Sequence, residues 1–120
     1  MANFHELGKA GEELAISHLK SKGFEILETN WRKGSLEIDI IARKGEILAI
    51  VEVKSRSTNV FGEPEEFVTK SKQKNLVKAA NSFVIQKNLE VETRFDIISV
   101  LTQGSNYKIY HIEDAFYPTL

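Results

Sequence analysis

Two β-prone apolar segments, residues 36–42 and 47–54, constrain the fold most, because both carry charged residues among their aliphatic ones. The turn between them at residues 44–45 predicts an antiparallel hairpin, and the second segment, apolar on both faces, predicts a central strand. The charged residues concerned are Asp39, Glu52 and Lys54. Because an unpaired buried charge is strongly unfavourable, these side chains must be paired, neutralised or bound to a ligand of opposite charge.

The register of the hairpin decides whether these charges meet. A loop of two or four residues places Asp39 opposite Ile50 and on the same face as Glu52, because opposed residues of an antiparallel pair share a face. A three-residue loop would place Asp39 opposite Ala49, on the far face from Glu52, and the sequence does not exclude it. The shared face is energetically favoured, since one cation and a lysine then neutralise both acids together.

The remaining pattern predicts one α/β domain over residues 1–120, with a mixed sheet flanked by helices in the order αβββαββ. Outside the hairpin, the predicted elements are a helix over 4–22, a strand over 24–31, a helix from Thr69 to about Asn88, and strands over 93–101 and 107–112. Residues 57–67 mix turn formers with acids and are predicted to form an exposed loop that could move over a site.

The composition of the chain bears on its cellular compartment, on membrane association and on its attraction to nucleic acid. The absence of cysteine excludes disulfides and thiolate metal sites and favours the cytoplasm. The charged, amphipathic start and the lack of a long apolar stretch argue against a signal peptide and a membrane span. A net charge of -1 gives no overall attraction to nucleic acid, so only local clusters of basic residues can supply one.

Asp39, Glu52 and Lys54 admit a structural and a functional interpretation. In the first, they form a salt bridge where the strands fray. In the second, the acids bind a hard cation such as Mg²⁺, which takes one or two carboxylates, several waters and phosphate oxygens of a substrate. Such an ion activates water, while an adjacent ammonium orients the nucleophile or offsets developing charge. Glu12 lies at the edge of the first helix's apolar stripe, faces the sheet margin and is a further candidate.

The first turns of the second helix carry Lys70, Lys72 and Lys74, where the helix dipole disfavours cations and bare N–H groups attract anions. A bound phosphate would resolve this mismatch, and the solubility of an exposed helix would also explain the lysines. Gln73 shares the helix face that points toward the core or the margin of the site.

Three other residues with functional side chains are expected to be structural. His18 lies in the apolar arc of the first helix and predicts a core histidine with a satisfied partner. Trp31 could stack on a base beside Arg32, but it is more typical of a core or interface aromatic. Asp96 is expected to pair with Arg94 or with a helix end.

Seven stretches of the chain together resemble a known family. They are "GEELAISHLKSKGFEILETNWR", "EIDIIAR", "VEVKSR", "FG", "VTKSKQ", "RFDIISV" and "HIEDAF", and the match runs from about Gly8 to Phe116. The family is the bacterial YraN-like family, placed in the PD-(D/E)xK nuclease superfamily close to archaeal Holliday junction resolvases. The resemblance implies a restriction endonuclease-like αβββαβ core, a phosphodiesterase site that depends on Mg²⁺ or Mn²⁺, and DNA as the substrate class.

The resemblance also implies roles for individual residues. The motif aspartate corresponds to Asp39, and the E-x-K motif to Glu52, Val53 and Lys54. Asp39 and Glu52 are then metal ligands with the Val53 carbonyl as a third, Lys54 orients water or stabilises charge, and Glu12 is an auxiliary ligand. Leu36 stands where the family usually has glycine, which affects the expected backbone shape there but leaves both acids in place.

We therefore predict a metal-dependent endonuclease that acts on DNA, with branched or junction DNA as a candidate substrate. The alternative is a non-catalytic module that binds nucleic acid or a partner and retains the nuclease fold. The residues predicted to contact nucleic acid are Arg32, Lys33, Arg56, Lys70, Lys72, Gln73 and Lys74.

A two-fold homodimer is expected, because cutting both strands of a duplex or junction is most simply done by two symmetric sites. The apolar residues that could furnish an interface or belong to the core are Phe61, Phe67, Tyr110, Phe116 and Tyr117.

Overall fold

The computed structural model describes residues 4–57 and 68–118, together with the side chains of these residues from Gly8 onward. Its elements are α1 (Phe4–Ser21), β1 (Glu25–Lys33), β2 (Leu36–Lys44), β3 (Ile47–Ser57), α2 (Lys70–Lys87), β4 (Glu92–Gln103) and β5 (Asn106–Ile112). The predicted α/β class and the order αβββαββ are confirmed. The predicted loop at 57–67 lies outside the described residues except for Ser57, which ends β3.

The five strands form one mixed sheet in the order β1-β2-β3-β4-β5. Neighbouring strands are antiparallel except for β3 and β4, which are parallel. Parallel neighbours need a crossover connection, and α2 lies between these two strands in the chain. The strand that carries Glu52 is thus the central strand, as its apolar pattern predicted.

The β2–β3 hairpin has a different register from the one expected. Lys44 pairs with Ile47, so the loop is Gly45–Glu46, and Ile50 faces Ile41 rather than Asp39. Gly45 has φ +60 at the first loop position, where a two-residue turn of the II′ type requires glycine. The predicted register is therefore wrong by two residues, but an even shift keeps the paired residues 40–44 on their predicted faces. Before Ile40 the alternation is broken, because Ile38 packs on the α2 face and Ile40 on the α1 face.

The two helices cover opposite faces of the sheet. On one face, Ala15 and Leu19 of α1 pack against aliphatic residues of β2, β3 and β4. On the other, Leu76, Ala79, Ala80 and Phe83 of α2 form a second core. Because side chains alternate along a strand, the apolar run of β3 supplies both cores. Neither helix in the described part of the chain is long and apolar enough to cross a membrane.

Two aromatic residues join the core on the α2 face. Trp31 meets Phe83 edge to face at 5.8 Å between ring centroids, as a core aromatic would. Phe116, a candidate for a dimer interface or for the core, belongs to the core and stacks on Phe95 at 5.1 Å between ring centroids. The C-terminal segment is therefore held against the sheet beside α2.

A buried ionic network links the sheet to α1 on the other face. Asp96 accepts two hydrogen bonds from the Arg94 guanidinium, both at 2.9 Å, which confirms the predicted pairing. It also contacts His111 Nε2 at 2.8 Å, and the His111 Nδ1 atom lies 3.2 Å from His18 Nε2. Burial would raise the pKa of Asp96, but the hydrogen bonds from His111 and Arg94 outweigh it and lower the pKa. His18 is thus a satisfied histidine, as predicted.

Helix α1 approaches the central strand most closely at Gly11. A Cβ atom built there would lie 1.8 Å from Ser55 Oγ and 3.1 Å from Ser55 Cβ, whereas a Cβ at Gly8 would meet no atom within 4 Å. The hydroxyl of Ser55 is buried and has no hydrogen-bond partner among the described residues. Close packing, rather than room for a ligand, accounts for Gly11.

These two glycines form a matched pair for a stability test. Gly8→Ala should gain up to about 1 kcal/mol from helix propensity. Gly11→Ala should lose about 1 kcal/mol or more, because overpacking outweighs the same gain. Urea denaturation measures both values, and adding Ser55→Ala to Gly11→Ala should restore part of the loss. Equal stability of the two alanine variants would contradict the close approach.

Candidate functional site

The site begins where β2 and β3 separate. Their ladder ends at the pair Ile40–Val51, and beyond it the Val53 N–H donates to Asp39 Oδ2 at 2.9 Å. A side-chain carboxylate thus replaces the backbone acceptor that a continued ladder would provide. Because the N–H and C=O of a strand residue point to the same side, the Val53 carbonyl also points toward β2. The fork between the strands therefore gathers one carboxylate and one carbonyl.

Glu52 supplies a second carboxylate from the centre of the sheet. Its side chain is directed to the α2 face and is only 4% exposed. Lys72 of α2 forms an ion pair with Glu52 Oε1, and Lys54 Nζ lies 3.6 Å from the same oxygen. The side chains of Lys54 and Lys72 are 30% and 41% exposed. One buried carboxylate is therefore held between two ammonium groups at the edge of solvent.

Burial raises the pKa of Asp39 to about 7, and the negative charge of Glu52 adds to this effect. The hydrogen bond from Val53 and the charge of Lys72 oppose the rise, and Glu12 contributes to it. For Lys72, burial works to lower the pKa, but the hydrogen bond and charge of Glu52 prevail and raise it. The acids are thus crowded enough that Asp39 retains a proton near neutral pH unless a further cation is present.

Glu12 reaches the margin of this site from α1, on the other face of the sheet. Its Oε1 accepts a hydrogen bond from Asn30 Nδ2 at 2.7 Å. Asn30 has a left-handed backbone with φ +50, and β1 loses its regular pairing with β2 at that position. Sequence reasoning missed Asn30, although asparagine before Trp31 in a strand is the residue type that tolerates this conformation.

The oxygen ligands of this site would coordinate a metal ion from one side only and leave its other positions to water or substrate. Within residues 4–57 and 68–118, no three histidine, cysteine or acidic side chains converge to enclose a metal. Asp39, Glu52 and the Val53 carbonyl match the few protein oxygens that Mg²⁺ takes when water and substrate complete its octahedron. The residues present therefore fit Mg²⁺ or Mn²⁺ better than a metal that needs a closed protein cage.

The predicted nucleic-acid residues fall into three places. Arg32 and Lys33 are exposed at the β1–β2 turn, where Arg32 lies 3.5 Å from Glu37. Lys70 and Lys74 are exposed on α2, and Arg56 is half-buried in β3. The two others turn inward, because Lys72 pairs with Glu52 and the Gln73 amide donates to the Val68 carbonyl at 3.2 Å.

The N-terminus of α2 has the cap that its sequence predicted. Thr69 is the N-cap residue, and its hydroxyl accepts from the Lys72 N–H at 3.2 Å. Asn88 ends the helix in a left-handed conformation with φ 52. The first turn of α2 carries no acidic residue, so its lysines oppose the helix dipole with no local compensation.

The raised pKa of Asp39 makes stability depend on pH in the metal-free protein. Folded Asp39 keeps its proton up to about pH 7, whereas its ordinary pKa is 3.8. The folded state binds more protons between these values, so this residue's contribution to stability falls as pH rises from about 4 to about 7. The Asp39→Asn variant lacks this contribution. Its free energy of unfolding, relative to that of the wild type, should therefore rise by up to about 4 kcal/mol as pH increases across this window.

Urea denaturation in a chelator at half-unit pH steps measures this difference. Glu46→Gln, at the exposed tip of the same hairpin, is the control and should keep the pH profile of the wild type. A difference between wild type and Asp39→Asn that stays constant from pH 4 to pH 8 would show that Asp39 has an ordinary pKa.

The chain has clear relatives among known proteins. Residues 11–100 match the family model described as "Uncharacterised protein family UPF0102". A UPF0102 protein of Flavobacterium psychrophilum is 53% identical over 117 residues, which cover 98% of each chain. One of Bacteroides thetaiotaomicron is 48% identical over 120 residues, which cover 100% of this chain and 99% of the relative. One of Thermodesulfovibrio yellowstonii is 46% identical over 112 residues, with 93% and 96% covered.

These names specify a family and no activity, so membership of the nuclease superfamily stays a prediction. The matched region includes α1 from Gly11, the β2–β3 fork and the first turn of α2, and so all the residues of the candidate site. With a family match over most of its length and relatives aligned end to end, the chain belongs to protein family UPF0102.

Proposed function

We propose that this protein is a Mg²⁺- or Mn²⁺-dependent endonuclease that hydrolyses phosphodiester bonds of DNA, with branched or junction DNA as its substrate class. The observation that carries the proposal is the convergence of Asp39, Glu52 and the Val53 carbonyl at one fork of the sheet, with Lys54 beside them. The residues are those that the PD-(D/E)xK resemblance selects, and the αβββαββ order agrees with a restriction endonuclease-like core.

Each residue then has a defined part in hydrolysis. Asp39 and Glu52 would hold the ion with the Val53 carbonyl, and the ion, when bound, supplies Lewis acidity and a more acidic water. Lys54 shares the Glu52 face of β3, where its ammonium orients the attacking water or offsets charge on the phosphate. Glu12, fixed by Asn30, would act from the margin as an auxiliary ligand, directly or through water.

The surface of α2 supports an anionic polymer as the substrate. Lys70, Lys74 and Lys78 recur every fourth residue and so share one helix face. Together with Tyr117 of the C-terminal segment, they line a cavity of about 270 Å³. An exposed tyrosine beside three ammonium groups suits a base and its phosphates. We place the protein in the cytoplasm, where such DNA is found.

A two-fold dimer would present one such site to each strand. Of the residues expected at an interface, Tyr110 and Tyr117 are exposed, Phe116 is in the core, and Phe61 and Phe67 lie outside the described residues. The dimer is thus a proposal that depends on the exposed tyrosines and on the geometry of the substrate.

The ion pair between Lys72 and Glu52 favours a second candidate function. Because Glu52 is already neutralised by a lysine, the fold does not require a metal, and a non-catalytic module that binds DNA is chemically consistent. Such a module would bind DNA equally well in a chelator and would tolerate loss of the Glu52 charge.

Cleavage of a panel of linear, flapped and four-way DNAs, with Mg²⁺ or with a chelator, separates the two functions. We expect cleavage only with the metal, and Glu52→Gln or Asp39→Asn should lower it at least about 100-fold. Glu13→Gln, on the exposed side of α1, is the matched control and should retain activity.

Paired cuts on opposite strands would support the dimer, and nicks would support a monomer. Binding without cleavage in every case, unchanged by Glu52→Gln, would favour the non-catalytic module.

DNA binding by the α2 groove has its own test. Changing Lys70, Lys74 and Lys78 together to glutamine should weaken binding and flatten its dependence on salt by about two to three units in the log–log slope. Fluorescence anisotropy of a labelled duplex at several salt concentrations measures both. A control triple variant changes exposed lysines outside the groove, Lys20, Lys87 and Lys108, to glutamine. Equal slopes for the two triple variants would contradict a specific role for the groove.

A further inference from the structure

Glu52 is a nearly buried carboxylate in a central strand, so a cation must accompany it for the protein to fold. Lys54, its neighbour on the same face, approaches Oε1 only to 3.6 Å. Lys72 makes the direct ion pair with Glu52. It belongs to α2, which follows β3 in the chain and begins at Lys70. The principal counter-ion of the site is therefore Lys72.

The position of Lys72 in its helix shows that the ion pair is what holds its side chain. It lies in the first turn of α2, which carries no acidic residue of its own and where the helix dipole is unfavourable for a cation. Its backbone is fixed by the hydrogen bond to Thr69, while its side chain remains 41% exposed. A lysine stem has four rotatable bonds, so its ammonium can move to solvent without disturbing the helix.

Glu52 has no comparable freedom, because its side chain is nearly buried and its backbone pairs with Ile97 of β4. The acid is thus fixed and the cation is exchangeable. A divalent ion that uses Asp39 and Glu52 needs the same Oε1 region that Lys72 occupies, and it brings a positive charge close to the ammonium. The divalent ion and the Lys72 ammonium therefore cannot both bind Glu52 strongly.

We propose that Lys72 is the resident counter-ion of the acid pair and that a divalent cation binds at Asp39 and Glu52 in competition with it. This rests on the metal site of the proposed function. Lys72 keeps the protein folded without metal and lowers its affinity for metal. The released ammonium would turn to solvent at the margin of the acid pair, where a phosphate of the substrate would be its counter-ion. The prediction that Lys72 contacts nucleic acid then applies to the metal-bound protein.

The test compares Lys72→Gln with Lys72→Arg, which retains the charge, and with Lys74→Gln, an exposed lysine of the same helix. Isothermal calorimetry gives the Kd for Mn²⁺, and thermal denaturation in a chelator gives the metal-free stability. Lys72→Gln should melt several degrees below wild type in the chelator. It should bind Mn²⁺ at least about tenfold more tightly, which corresponds to about 1.4 kcal/mol. Lys72→Arg and Lys74→Gln should bind Mn²⁺ no more tightly than wild type.

The outcomes separate this proposal from the proposed function. If wild type binds Mn²⁺ and Lys72→Gln binds it equally or more weakly, the competition is wrong while the metal site stands. If neither binds Mn²⁺, the metal site and the competition both fail. Should Lys72→Gln not fold without metal, Lys72→Arg still decides the matter, because tighter Mn²⁺ binding by this charged variant would contradict the proposal.

Discussion

The carboxylate of Glu52, buried in the central strand, is the constraint on which the arrangement of the site depends. A strand between two others cannot move its side chains far, so the charge must be balanced where it lies. The fold meets this requirement with Lys54 from the same strand and Lys72 from α2. The position of the first turn of α2 over β3 therefore depends on the charge of Glu52. Neutralising Glu52 would affect both α2 and β3.

Comparison with Asp96 shows why only one of the two ionic clusters is suited to a ligand. Asp96 receives hydrogen bonds from Arg94, His111 and the Asp114 backbone, so its pKa is lowered and its charge is fully satisfied. Asp39 receives one hydrogen bond from Val53 and faces a second acid, so its pKa is raised to about 7. The first cluster fixes β4 and β5 to α1. The second pairs an acid whose charge is disfavoured by burial with one that is held by lysines, and a divalent cation would stabilise the charged form of both.

Much of the fold and part of the site were predictable from local patterns. Alternation and turn residues indicated every strand, and Thr69 and Asn88 marked the ends of α2 as its caps do in the structure. The proximity of Asp39 and Glu52 was predicted from the period of two in a strand. The alternation itself is interrupted at Asp39, because Ile38 belongs to the core on the α2 face and Ile40 to the core on the α1 face. The hairpin register did not follow, because one glycine is compatible with more than one two-residue turn, and only strand pairing selects among them.

The sequence alone determined the element order, the central position of β3 and the residue types at the site, since these depend on periodicity and chemistry within each segment. Only the tertiary structure decided which residues meet. It directed Lys72 inward to Glu52 rather than outward to solvent, joined Glu12 to Asn30, and placed Phe116 in the core. These contacts join residues that are distant in the chain. Their physical basis is how the helices and the C-terminal segment pack on the sheet, which no local pattern encodes.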